Sequence, residues 1–207
     1  GHRLSYHGGI EPVNREDLRV GFAFCGSFCT MFQALDALEQ TAARFGAVTP
    51  IVSETVAATD TRFGQSHDFM REMERICGKR VISTVAGAEP IGPKGLLDVL
   101  VICPCTGNTL AKLAHGITDS AVTMAVKAHL RNGRPLVIAV STNDGLAGSA
   151  PNLGALLSRR NVYFVPFGQD DCTGKPASLV ADFSLVPDTV EAACRGEQIQ
   201  PLLLARG

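Results

Sequence analysis

The 207-residue sequence has no tryptophan, and aromatic residues make up only 6% of it. That excludes base-stacking platforms and aromatic cages as organising features. No charge of one sign dominates: 19 Lys+Arg stand against 20 Asp+Glu, a formal net charge of -1. So balanced a chain has no global field with which to hold nucleic acid or an anionic membrane. No apolar run reaches the roughly 18 residues that a membrane span needs. Gly1–Leu4 hold no hydrophobic signal core. The expectation is no nucleic acid, no membrane and a cytoplasmic location. There is no paired CxxC frame among the seven cysteines, and His2, His7, His67, His115 and His129 show no metal spacing. We therefore expect reduced thiols and no metal. Cys25 and Cys103 read as buried strand residues, Cys29 and Cys105 as small residues beside a crevice, and His115 and His129 as surface or capping residues.

What the sequence does contain is alternation. Strand-like apolar runs occur at 19–24, 47–52, 80–85, 98–103, 135–140 and 161–165. Val99-Leu100-Val101-Ile102 is continuously apolar, as in a parallel strand covered on both faces. Helical patterns lie between the runs: Phe32, Leu35, Leu38 and Phe45 share one face, and further helices read at 67–76, 109–114, 121–130, 152–158 and 188–194. This pattern predicts an α/β fold, a doubly wound Rossmann-like parallel sheet with helices on both faces. Residues 1–17 read as an N-terminal tail, a cloning remnant or processed end, and 18–207 as a single domain. Residues 145–151 and 168–176 read as long loops able to carry function.

In such a sheet, ligands bind beyond the carboxyl ends of the strands, where the strand order reverses. After the first strand come Gly26, Ser27, Phe28 and Thr30; the segment is neither GxGxxG nor a P-loop. A helix N-terminus there offers a phosphate seat, and Ser27 as a helix cap explains it equally well. After the fourth strand, which Pro104 is expected to end, come Thr106, Gly107, Asn108 and Thr109. Asn108 both donates and accepts, which suits a heterocycle edge or a ribityl chain. With strand order 3-2-1-4-5-6 these two loops face one another across one crevice. Ser53 follows the second strand. Arg62 can hold a carboxylate with two parallel hydrogen bonds, or pair locally with Asp60. Glu89, Asp144 and Asp170 are the candidate proton-moving groups.

The stretches 21–30 and 104–114 resemble the flavoprotein family, which contains flavin-dependent cysteine decarboxylases and flavin prenyltransferases. More narrowly, with 59–64, 88–93, 141–146 and 163–171, the chain resembles the dipicolinate synthase B-subunit family. The resemblance implies FMN held by Gly26, Ser27 and Thr30 and by Pro104, Thr106, Asn108 and Thr109, with Phe28 and Phe63 as ring-stacking candidates. It implies formation of pyridine-2,6-dicarboxylate from a dihydrodipicolinate-level intermediate in the mother cell of a sporulating bacterium. The small dicarboxylate would be held by Arg62, Ser27, Asn108 and Thr109. A dipicolinate synthase A subunit carrying NADP, and a homo-oligomer of trimers or multiples, are the implied partners. The decarboxylases' catalytic His before the fourth strand has no counterpart in 88–93, and their Ala-Ser-Ala is replaced by Cys105-Thr106-Gly107. Cysteine-type decarboxylation is therefore not expected. The alternative function is a non-catalytic assembly module that activates the A subunit, or an FMN-binding redox or lyase protein.

Overall fold

Strands buried on both faces need helices above and below, and the chain supplies them in alternation. The computed structural model describes residues 2–4, 10–12, 15–26, 30–58 and 65–205. Along it run β1 (His2–Leu4), β2 (Ile10–Pro12), β3 (Arg19–Cys25), α1 (Met31–Arg44), β4 (Ala47–Val52), α2 (Glu54–Ala58) and α3 (Gln65–Cys77). Then follow α4 (Val85–Ala88), β5 (Val99–Cys105), α5 (Gly107–His115), α6 (Ala121–Arg131), β6 (Leu136–Thr142) and α7 (Ala150–Leu157). The last elements are β7 (Val162–Phe164), β8 (Phe167–Gly168), β9 (Leu179–Ala181) and α8 (Val186–Cys194).

The parallel sheet runs β4-β3-β5-β6-β7. β5 lies at its centre with all seven residues buried, as its continuous apolar run requires. The order agrees with the expected doubly wound arrangement, with two differences. The run at 80–85 contributes only a parallel bridge, Ile82 to Ile51. There Thr84 caps α4 instead, accepting from the Gly87 N–H at 3.0 Å, and the capped helix takes the residues that would have extended the strand. The second difference is an antiparallel appendage: β9 pairs with the end of β6 at Ser141 and Thr142, and β8 pairs with β9. It builds a wall on the carboxyl edge of the sheet.

Pro104 does not end its strand. β5 continues through it to Cys105, and the ladder shifts register at this point against both neighbours. A proline has no N–H to give a ladder, so it is accommodated at an irregularity. Phe32 also departs from expectation, being 77% exposed. The buried face of α1 is Met31, Ala34, Ala37, Leu38 and Thr41, and Phe32 lies about 100° around the helix from Met31. His129 is buried, with Nε2 2.8 Å from the Pro135 carbonyl oxygen; desolvation lowers its pKa to about 4, so it is neutral at pH 7. Part of 1–17 is structured: β1 and β2 pair antiparallel, Arg15 forms an ion pair with Glu191 of α8 at 2.5 Å, and its carbonyl accepts from Gly46. These contacts hold the segment to the body of the fold.

The entry to the central strands is pinned by charge. The buried Asp98 carboxylate accepts from the Arg19 backbone N–H at 3.0 Å, from Nε at 3.2 Å and from Nη2 at 3.1 Å. Paired, fork-shaped donors of this kind offset the burial of the carboxylate. Asp98→Ala leaves the Arg19 donors unpaired at the start of β3, and denaturant unfolding is expected to show a loss of about 3 kcal/mol.

Candidate functional site

The strand order reverses between β3 and β5, and a cleft of about 920 Å³ opens outside their carboxyl ends. One side is formed by Gly26, Thr30 and Gln33 at the start of α1, the base by Pro104, Thr106, Gly107, Asn108 and Ala111. The turn from β6 to α7 gives Ser141, Thr142, Asn143, Asp144, Ser149 and Asn152, and the loop before β9 gives Asp170, Lys175 and Ser178. Thus the loops after the first and fourth expected strands share one crevice, together with Asp144 and Asp170.

Thr106 makes this geometry at the base. Its backbone is extended and its hydroxyl accepts from the Thr109 N–H at 3.4 Å, starting α5. The N–H groups of Gly107 and Asn108 fall in the first turn and have no intrahelical acceptor. Gly107 is required here by close approach: a β-carbon would lie 2.8 Å from the hydroxyl oxygens of Ser149 and Thr142 and 3.0 Å from Asp144 Oδ1. Those three side chains form one unit. Asp144 Oδ1 accepts from Thr142 at 2.5 Å and from Ser149 at 2.7 Å. The two hydroxyl donors hold its carboxyl below the usual carboxylate range, although the group is exposed. Asp144 is therefore a persistent anion and a weak base. Its chemistry is to orient two hydroxyls in the cleft.

Several expected residues lie elsewhere. Thr109 is buried, and its hydroxyl turns toward β3, 3.1 Å from Cys25 Sγ, and not into the cleft. Ser53 caps α2, accepting from the Val56 N–H at 3.1 Å, and does not line the cleft. Glu89 lies in the 3-10 turn Glu89–Ile91 and faces a different groove, with Lys127 and Arg131. Cys105 is fully buried in β5, not beside the crevice. Burial raises the Cys25 thiol to about 11 and pushes Cys103 and Cys105 up as well, so all three are neutral thiols at pH 7. Ser27, Phe28, Cys29, Arg62 and Phe63 lie outside the described residues. Among the described residues no group of three His, Cys, Asp or Glu is placed to hold a metal, and no helix is long and apolar enough to cross a membrane.

Lys175 was not singled out by sequence reasoning, nor were Gln33, Ser149 and Asn152. Lys175 is the cation that the described lining supplies. It is carried by a turn in which the Asp171 carbonyl accepts from the Lys175 N–H at 2.8 Å and Asp171 Oδ1 from the Gly174 N–H at 2.9 Å. The available signal was its loop, 168–176.

The family model described as Flavoprotein matches residues 10–167. The chain belongs to the flavoprotein family. It is 44% identical over 186 residues to the dipicolinate synthase B subunit of Bacillus subtilis (strain 168), covering 90% of this chain and 93% of that one. The crystal structure of the dipicolinate synthase B subunit from Bacillus halodurans superposes with a TM-score of 0.87 at 43% identity, covering 94% of this chain and 100% of that one. The FMN-dependent cysteine decarboxylase SpaF, at 21% identity and a TM-score of 0.60 over 86% of this chain and 98% of its own, shares the fold.

The described cleft residues fit a flavin nucleotide. The volume lies in the range of cofactor sites, roughly 300–1,000 Å³. The α5 N-terminus, Asn108 and the hydroxyls suit a phosphate and a polyol, and Pro104, Ala111 and Val180 supply apolar surface. The pH behaviour of the Asp144 unit is testable. Because its folded pKa is depressed, its contribution to stability is present above the unfolded Asp pKa of about 3.9 and is lost as pH falls through the folded value. Denaturant midpoints of the protein and of Asp144→Asn, measured from pH 7 to pH 2, are expected to differ at neutral pH and to converge in acid.

Proposed function

We propose that this chain is the B subunit of a dipicolinate synthase, acting with a nicotinamide-dependent A subunit to form pyridine-2,6-dicarboxylate from a dihydrodipicolinate-level intermediate. The observation that carries this reading is the polar cleft at the α5 N-terminus in a chain 44% identical to a dipicolinate synthase B subunit over 90% of its length. The reading puts the protein in the mother-cell cytoplasm of a sporulating bacterium, as a homo-oligomer.

The chemistry is dehydration and oxidation of a cyclic dicarboxylate. A hydroxylated tetrahydro precursor loses one water; the dihydro ring then loses two electrons and two protons and becomes aromatic. The electrons leave as a hydride to NADP on the A subunit, and one proton goes to solvent. The substrate is a dianion, and a near-neutral chain must bind it with local donors. Lys175 faces one carboxylate; the first-turn N–H groups of α5, with the positive end of the helix dipole, face the other. The Asn108 amide reads the ring nitrogen edge. Asp170 takes the ring proton in the dehydration. Asp144 stays ionised and holds Thr142 and Ser149 in place. In the alternative reading a flavin nucleotide takes those same donors, Thr106, Gly107 and Asn108, in place of the dicarboxylate, and would supply a two-electron acceptor when bound.

Reconstitution tests this. Both subunits are mixed with NADP and substrate, with and without added FMN, and dipicolinate is followed by its ultraviolet absorbance. Asn108→Ala and Lys175→Met are each expected to lower kcat/KM about tenfold or more, Lys175→Met chiefly through KM. An A subunit that makes dipicolinate alone at full rate contradicts the reading.

A further inference from the structure

The cation of the cleft stands on a loop: residues 169–178 join β8 to β9 without a helix or strand of their own. An exposed lysine in a loop is ordinarily a solvated charge, and a carboxylate four residues before it is ordinarily its ion partner. Lys175 fits neither description. It lines the cleft, and among the described residues no carboxylate pairs with it. The Asp171 carboxylate is directed to the backbone. Its Oδ1 accepts from the Gly174 N–H at 2.9 Å, and its Oδ2 lies against the place where a β-carbon on residue 174 would stand. Both backbone groups of Lys175 are bonded: its N–H donates to the Asp171 carbonyl at 2.8 Å, and its carbonyl accepts from the Ser178 N–H at 3.1 Å. Gln169 Nε2 donates to the Pro176 carbonyl at 2.9 Å and closes the loop from the other side. The loop is tied in turn to the segment that carries Asp144. The Leu146 N–H donates to the Ala177 carbonyl at 3.0 Å, and Gly145 packs so closely that a β-carbon there would lie 2.6 Å from Leu179 Cδ1. The backbone under Lys175 is thus fixed against the opposite wall of its own cleft.

We propose that Asp171 is a positioning residue for dicarboxylate recognition: its carboxylate closes the turn that presents Lys175 to the cleft, and it neither touches the substrate nor moves a proton. The proposal rests on the reading above, in which Lys175 faces one carboxylate of the substrate. Adjacent acids then have separate duties, since Asp170 lines the cleft and Asp171 does not. A lysine whose backbone is already ordered loses less freedom when its ammonium meets a carboxylate, so affinity rises without a new contact. What position 171 must supply is an acceptor and not a charge, because its partner is a backbone N–H.

The test is a mutant cycle on the full chain. Affinity for pyridine-2,6-dicarboxylate is measured by titration calorimetry at low and high salt for the wild type, Asp171→Ala, Asp171→Asn, Lys175→Met and D171A/K175M. Asp171→Ala is expected to bind about fivefold more weakly at low salt, with a smaller difference between the two salt conditions because its ammonium is engaged less. Asp171→Asn keeps the acceptor and is expected to stay within about twofold of the wild type. In the Lys175→Met background, Asp171→Ala is expected to change affinity by less than about twofold, since the cation through which it acts is gone. Gly174→Ala reaches the same turn without altering residue 171. Its methyl group displaces the Asp171 carboxylate, and a loss like that of Asp171→Ala is expected, which keeps the test open should the latter variant fail to fold. Wild-type affinity in both Asp171→Ala and Gly174→Ala overturns the proposal. So does a loss on Asp171→Ala that is as large with Met at position 175 as with Lys, or a loss on Asp171→Asn equal to that on Asp171→Ala. In each of these cases Lys175 keeps its place in the reading above. A wild type that does not bind the dicarboxylate, or a Lys175→Met variant that binds it as tightly as the wild type, removes that reading and the positioning role together.

Discussion

The cleft exists because nothing projects from residue 107. A β-carbon there would collide with the Ser149 and Thr142 hydroxyls at 2.8 Å, so glycine lets the first turn of α5 rest directly against the turn from β6 to α7. Two neighbouring loops of the sheet edge thereby become one surface. The Asp144 carboxylate, held by those same hydroxyls, locks the second loop in the shape that the first requires. Everything else at the site is arranged around that contact: Thr106 caps the helix, Thr109 turns inward to Cys25, and Asn108 is left facing the open side.

Two carboxylates, Asp144 and Asp170, line the cleft. Asp144 receives two hydroxyl hydrogen bonds, which favour its charged form and make it a poor proton acceptor. Asp170 stands in the loop after β8 and lines the same cleft, as does Lys175. In the proposed function Asp144, Asp170 and Lys175 divide the handling of a small dianion. The near-zero net charge of the chain fits this arrangement, because attraction is then confined to donors that also impose orientation.

Much of the fold was legible in the residues. Val99–Ile102 is apolar without interruption because both faces of β5 are covered, and its neighbours follow from the same rule. The strand expected at 80–85 was not formed because Thr84 finds a local acceptor role at a helix start, a choice that apolar periodicity does not register. Phe32 misled for a similar reason. Its size suggested burial, whereas small residues at 34 and 37 fill the face of α1 that meets the sheet. At the site, the turn 104–108 was visible from its polar residues after an apolar strand. Thr109 was read outward with its neighbours, although helical rotation carries it inward. Ser53 stands at the carboxyl end of β4 but is turned to cap α2, and Glu89 faces a different groove. Lys175 was hidden in a loop whose shape depends on hydrogen bonds to Asp171, a tertiary detail with no periodic signature.

The central claim is that the crevice between Gly26 and the Thr106–Asn108 turn holds the dicarboxylate. Crystals of the protein grown with pyridine-2,6-dicarboxylate test it directly. Difference density for the planar ring is predicted in that crevice, with one carboxylate at the α5 N-terminus and the other within reach of Lys175. Density for the ring anywhere else, with the crevice holding only water, would contradict it.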